Sequence, residues 1–282
     1  MSSTDERVEQ RTRISEAARA LLEAAPWDEI ASRTLLVLVR PPDVEWAATS
    51  APPLLWLILD GAEARALRPE LRNPLVRDGS TLVHVRATDA APAMQLAAMT
   101  SEAVGRHLEG VTRRSLEMKW LARYSEALHD PLHRFDSLRG MAARLPADAL
   151  ERVARPLYVQ AAQSLEALAG APMAAEGADD GAVLPAVEAA GALCRLACVL
   201  EGGSHPPAEW LLAAARETTL GRRLASWLDD VPSAVSGDQR PARWIRDSGA
   251  GVLREAAAAL RAEFAGRDWL DDPIAQTIRA AR

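Results

Sequence analysis

Two short, unbroken apolar runs, Leu35–Val39 and Leu54–Leu59, constrain this chain most. Turn-forming residues bound both: Pro41-Pro42 follows the first, and Pro52-Pro53 and Asp60-Gly61 flank the second. Runs of this length without polar alternation suit strands buried on both faces. Asp78-Gly79 marks a further turn, and Thr81-Leu82-Val83-His84-Val85 reads as a third strand. There the β signal ends. Pro92 to Leu108 and Val111 to Leu128 read as helices, the second closed by Asp130-Pro131.

Upstream, Ile14, Ala17, Ala18, Leu21 and Leu22 recur at helical spacing and predict a helix over 6–25, stopped by Pro26. The stretch Arg11 to Leu22 looks like the start of a TetR-type repressor, but a helix-turn-helix should follow directly and an apolar strand follows instead. From Phe135 onward the pattern is helical, with helices expected near 136–145, 147–169, 183–201, 207–216, 219–229, 241–264 and 271–281. Gly170 to Gly181 and Ser233 to Gln239 read as loops. No internal repeat or sustained heptad is present. The expected fold class is α+β: a small mixed-sheet α/β domain over 1–135, then an all-α helical bundle over 136–282.

At 282 residues, 49% hydrophobic and 26% charged, the chain has material for two packed cores. A net charge of −6 lacks the basic surplus of a protein that coats phosphate backbones, so nucleic acid is not the expected partner. No apolar run is expected to approach the length of a membrane span, Leu35–Val39 and Leu54–Leu59 being strand-sized, and no apolar leader precedes the first helix, which predicts a cytoplasmic protein. Cys194 and Cys198, four apart, share one helix face and read as small core residues. Lys119 is the only lysine amid abundant arginine and alanine, a composition expected of a GC-rich bacterial genome.

The order helix, strand, linker, strand, excursion, strand, helices, bundle resembles the kanamycin- and streptomycin-type nucleotidyltransferases. His129-Asp130-Pro131-Leu132-His133-Arg134-Phe135 is similar to a family segment that often reads Tyr-Asp-Pro-x-Gly-Arg. Leu200-Glu201 through His205-Pro206-Pro207-Ala208-Glu209-Trp210-Leu211 resembles a bundle segment with the pattern Tyr-x-Pro-x-Lys-Trp-Leu. The resemblance covers residues 30–230. It implies metal-assisted nucleotidyl transfer: a Gly-Ser pair after the first strand, Asp-x-Asp opening the second, and a third carboxylate on the third strand. Such acids hold divalent metal that aligns the triphosphate.

Here the Gly-Ser position falls at Arg40-Pro41, the Asp-x-Asp at Leu54-Leu55-Trp56, and the third carboxylate around Val83 to Val85, with His84 among them. Proline removes a backbone donor where phosphate would be held, and leucine and tryptophan cannot ligate magnesium. Asp43 and Glu45 form an Asp-x-Glu pair after the first strand; they are either a relocated metal pair or a solvated loop. Arg123 and His129, six apart, fall on different faces of a regular helix. His129, His133 and His205 share no ligand spacing and read as helix-terminal or surface residues. Glu201-Gly202-Gly203-Ser204 lacks the strand and lysine of a phosphate loop and reads as a glycine cap. Trp46, Trp56, Trp120 and Trp210 read as core or interface residues, with pocket lining the alternative.

These readings predict a catalytically degenerate nucleotidyltransferase-fold protein that binds a small molecule or a protein partner, with no cofactor. Two alternatives follow. One is an active transferase using Asp43 and Glu45 with Mg2+ and a nucleoside triphosphate. The other is a helical regulatory protein unrelated to nucleotides. The Ala/Leu-rich bundle also admits a homodimer face.

Overall fold

The computed structural model describes residues 3–25, 27–39, 54–67, 76–78, 81–84, 94–143, 145, 147–170, 180–235 and 239–265. Contacts divide the chain into two compact units, Met1–Arg144 and Leu145–Arg282.

The first unit opens with α1 (Ser3–Glu23) and α2 (Trp27–Ala31), followed by β1 (Thr34–Val39) and β2 (Leu54–Leu59). Next come α3 (Gly61–Ala66), β3 (Val76–Asp78), β4 (Thr81–His84) and β5 (Gln95–Thr100). The unit closes with α4 (Ser101–Glu109), α5 (Arg113–Arg123), β6 (Glu126–His129) and α6 (Phe135–Ala142). The strands form one six-stranded sheet in the order β3-β4-β5-β2-β1-β6. Only β2 and β5 pair in parallel; every other neighbour is antiparallel.

Alternation along β2 puts Leu55, Leu57 and Leu59 on one face, all 0% exposed, with Val37, Val39, Leu96 and Ala98 beside them. Ile14, Ala18 and Leu21 of α1 and Trp27 and Ile30 of α2 complete this core. Leu36, Leu38, Trp56 and Ile58 point to the opposite face and are buried as deeply. Both faces of β1 and β2 are therefore covered, which is why these strands read as unbroken apolar runs. Each fully buried leucine contributes about 1.5–3 kcal/mol relative to an exposed one.

Two strands correct the sequence reading. Gln95–Thr100 lies in a stretch rich in Ala and Met that predicts helix, yet it is β5, held between β2 and β4. Tertiary pairing overrides local propensity there. Glu126–His129 was expected in or just beyond a helix ending at Leu128. Instead α5 ends at Arg123 and the chain returns as the edge strand β6. The domain division also falls later than 135/136. Helix α6 packs against α4 and α5, so it closes the first unit.

The second unit comprises α7 (Ala147–Gly170), α8 (Asp180–Gly202), α9 (Ala208–Glu217), α10 (Thr219–Arg223), α11 (Ala225–Val235) and α12 (Gln239–Glu263). The single helix expected over 219–229 is two, α10 and α11, separated at Leu224. The helix expected near 271–281 lies outside the described residues. Helix α8 is central and touches each of the other five. Its Ala189, Ala192, Leu193, Leu196 and Val199 are fully buried. This corrects the expectation that no apolar run approaches the length of a membrane span: Val183–Gly202, with mean hydropathy 1.8, is long and apolar enough to cross a membrane by length and composition. Half of that window is buried in the protein, as the core helix of a bundle requires. Cys194 and Cys198 are buried and free on this helix. Burial pushes the Cys194 thiol up to about 12 and raises that of Cys198 as well.

Candidate functional site

Four strand ends meet at one end of the sheet. β1 leaves at Val39, which pairs with Leu55 at the entry of β2 and with Glu126 at the start of β6. Leu54 pairs with Gln95 at the start of β5, and Trp56 lies between Leu38 and Ala97. This is the end at which the resemblance places the nucleotide and metal. Arg40 and Pro41, and the alternative metal pair Asp43 and Glu45, lie outside the described residues. Leu54 is half-buried and Trp56 is 2% exposed. The Trp56 indole N–H is buried without an acceptor, which costs roughly 1–3 kcal/mol. Among the described residues, no three His, Cys, Asp or Glu side chains gather to hold a metal ion.

His84 ends β4 and pairs with Leu96 of β5. β5 therefore stands between His84 and β2, and β5 is the strand that lies next to the Leu54–Trp56 entry. Two half-buried polar residues at this end, Gln95 and Glu126, escaped the sequence reading because both lay in segments taken for helix or its continuation. Glu126 pairs with Val39 and Gln95 with Leu54, so alternation places the carboxylate and the amide on opposite faces of the sheet and they do not form one ligand set.

The segment after β6 is built around Asp130. Its carboxylate accepts from the backbone N–H of Arg134 at 2.8 Å and of Phe135 at 2.9 Å, capping α6. His133 has φ +50° and donates its N–H to the Asp130 carbonyl at 3.3 Å. It occupies the position where the resembled segment carries glycine, the residue that adopts a left-handed backbone most readily. Arg139 lies over the Phe135 ring at 5.3 Å and Arg123 over the Tyr124 ring at 5.7 Å. Arg123 ends α5 and His129 ends β6, so the two are not on one helix. His129 and His133 are exposed, as expected of surface residues.

In the second unit, α8 ends in the anticipated glycine cap. Gly203 has φ +68° and its N–H bonds the Val199 carbonyl at 2.8 Å. A Cβ there would meet the Leu145 Cβ at 3.1 Å. Ser204, His205 and Pro206 then run through the interior. His205 is 1% exposed, with Nδ1 2.9 Å from the Pro206 carbonyl, so the surface reading of this histidine is corrected. Trp210, one turn into α9, is 1% exposed. The Glu201 carboxylate accepts the Thr219 N–H at 3.1 Å and ties this segment to α10.

Lys119 was read only as composition. It sits on α5 at 2% exposure, and its Nζ donates to the Leu108 carbonyl in the last turn of α4. Burial lowers its pKa, against a smaller upward pull from Glu109. Its flanks, Leu116, Met118, Trp120 and Leu121, were the signal that could have found it.

No protein-family model and no curated protein matches this sequence. Among solved structures, a nucleotidyltransferase-like protein from Exiguobacterium sibiricum 255-15 is similar at TM-score 0.40 and 13% identity, over 88% of this chain and 77% of that one. At that TM-score two chains need not share a fold.

Proposed function

We propose that the chain is a catalytically degenerate nucleotidyltransferase-fold protein that works by binding a small molecule or a protein partner. The observation that carries this reading is the entry of β2. The resembled family places metal-holding acids there, and this chain has half-buried Leu54 and fully buried Trp56. The left-handed backbone at His133 supports the resemblance, because the similar segment has glycine at that position.

Metal-dependent nucleotidyl transfer releases pyrophosphate, which gives a direct test. The protein is incubated with each of ATP, GTP, CTP and UTP, with Mg2+ and a panel of hydroxyl-bearing small molecules. The reading predicts no pyrophosphate above a protein-free control. Protein-dependent release that Asp43→Asn abolishes would overturn it in favour of an active transferase with displaced carboxylates.

A further inference from the structure

Lys119 is the only lysine in the 282 residues. It lies between buried Met118 and buried Trp120 and is itself 2% exposed. Its Nζ is spent on the Leu108 carbonyl, near a helix C-terminus whose free carbonyls favour a cation. The long cations around it in the same unit are guanidinium groups: Arg106, Arg113, Arg123, Arg134 and Arg139 are exposed and Arg114 is half-buried. A guanidinium stays protonated and is a poor nucleophile, whereas an amine that sheds its proton reacts with acyl donors. None of these arginines is buried, and the single lysine is.

We propose that Lys119 is a conditional modification site, closed to lysine-directed acyl transfer in the folded first unit and opened to it only when α4 and α5 separate. The co-reactant is an activated acyl donor, namely a thioester. The unprotonated Nζ attacks the acyl carbonyl, the new C–N bond forms and the C–S bond breaks. The amine loses its proton to solvent and the thiolate leaves, taking up a proton to become the thiol. The resulting amide is uncharged and larger than the ammonium group. A close-packed position has no room for it beside Leu108, so acylation captures the open form.

The full chain is treated with a small acyl thioester in mildly alkaline buffer, and occupancy at Lys119 is followed by peptide mass mapping. Lys119 should acylate roughly 100-fold more slowly in native buffer than in concentrated guanidinium, because reaction waits on opening. Arg106→Lys, which places a lysine at an exposed position of α4, should acylate in the folded chain at close to the unfolded rate. Equal rates for Lys119 and the Arg106→Lys lysine in native buffer would overturn closure. For capture, wild type and Lys119→Arg are both acylated in denaturant and then diluted out of it. Wild type should regain less helical circular dichroism than Lys119→Arg; equal recovery would overturn capture.

Discussion

The two units place unusual backbone in opposite surroundings. Among the described residues of the second unit the left-handed one is Gly203, with the Leu145 side chain against the space a Cβ would fill. Nearby Gly221 is tighter still, since a Cβ there would sit 1.8 Å from the Ala215 carbonyl oxygen. Among those of the first unit it is His133, exposed, in a turn held by Asp130. At Gly221 the Ala215 carbonyl leaves no room for a side chain, and at Gly203 the Leu145 side chain makes the fit tight. The turn before α6 has open space, so it tolerates a side chain and bears only the local cost of the conformation.

Four substitutions test that contrast by urea denaturation. Gly221→Ala should be the most damaging, at about 3 kcal/mol or more, because a backbone carbonyl must move. A loss below roughly 1 kcal/mol would mean the α9–α10 junction relaxes freely. Gly203→Ala should cost about 1–2 kcal/mol from backbone strain and the Leu145 contact. Asp130→Ala should cost about 1 kcal/mol, since it removes the acceptor for two N–H groups at the start of α6. His133→Gly should have the smallest effect, a gain of about 0.5 kcal/mol as relief of strain outweighs the added freedom of the unfolded chain. If His133→Gly were as destabilising as Gly203→Ala, the imidazole would have a structural role and the contrast would fail.

Legibility in the sequence followed burial geometry. β1 and β2 were readable because both of their faces are buried, which leaves continuous apolar runs. Most bundle helices were readable from their apolar period, although 219–229 proved to be two helices. β5 was not readable. Gln95-Leu96-Ala97-Ala98-Met99-Thr100 contains good helix formers, and its parallel partner begins at Leu54, 41 residues away, so no local pattern marks the pairing. β6 failed for the same reason, since Glu126-Ala127-Leu128-His129 is helical by propensity and extended by pairing with β1. Those two errors also hid that Gln95 and Glu126 lie at strand starts beside Leu54 and Val39. His205 was read as a surface residue because its flanks, Gly202-Gly203-Ser204 and Pro206-Pro207, look like an ordinary loop. Its burial comes from packing that those flanks do not encode. Leu54 and Trp56 were placed correctly on the second strand, and the depth to which Trp56 is buried emerged only in three dimensions.

The most direct test of the central claim is a calorimetric titration of the protein with ATP, GTP, CTP and UTP, each with and without Mg2+. In the proposed reading, binding at this site does not depend on a metal held by carboxylates. The account therefore predicts that any nucleotide heat is the same in both conditions, and that its absence in one is matched by its absence in the other. Binding that appears only with Mg2+, and that Asp43→Asn or Glu45→Gln removes, would contradict the account and assign those two carboxylates the metal.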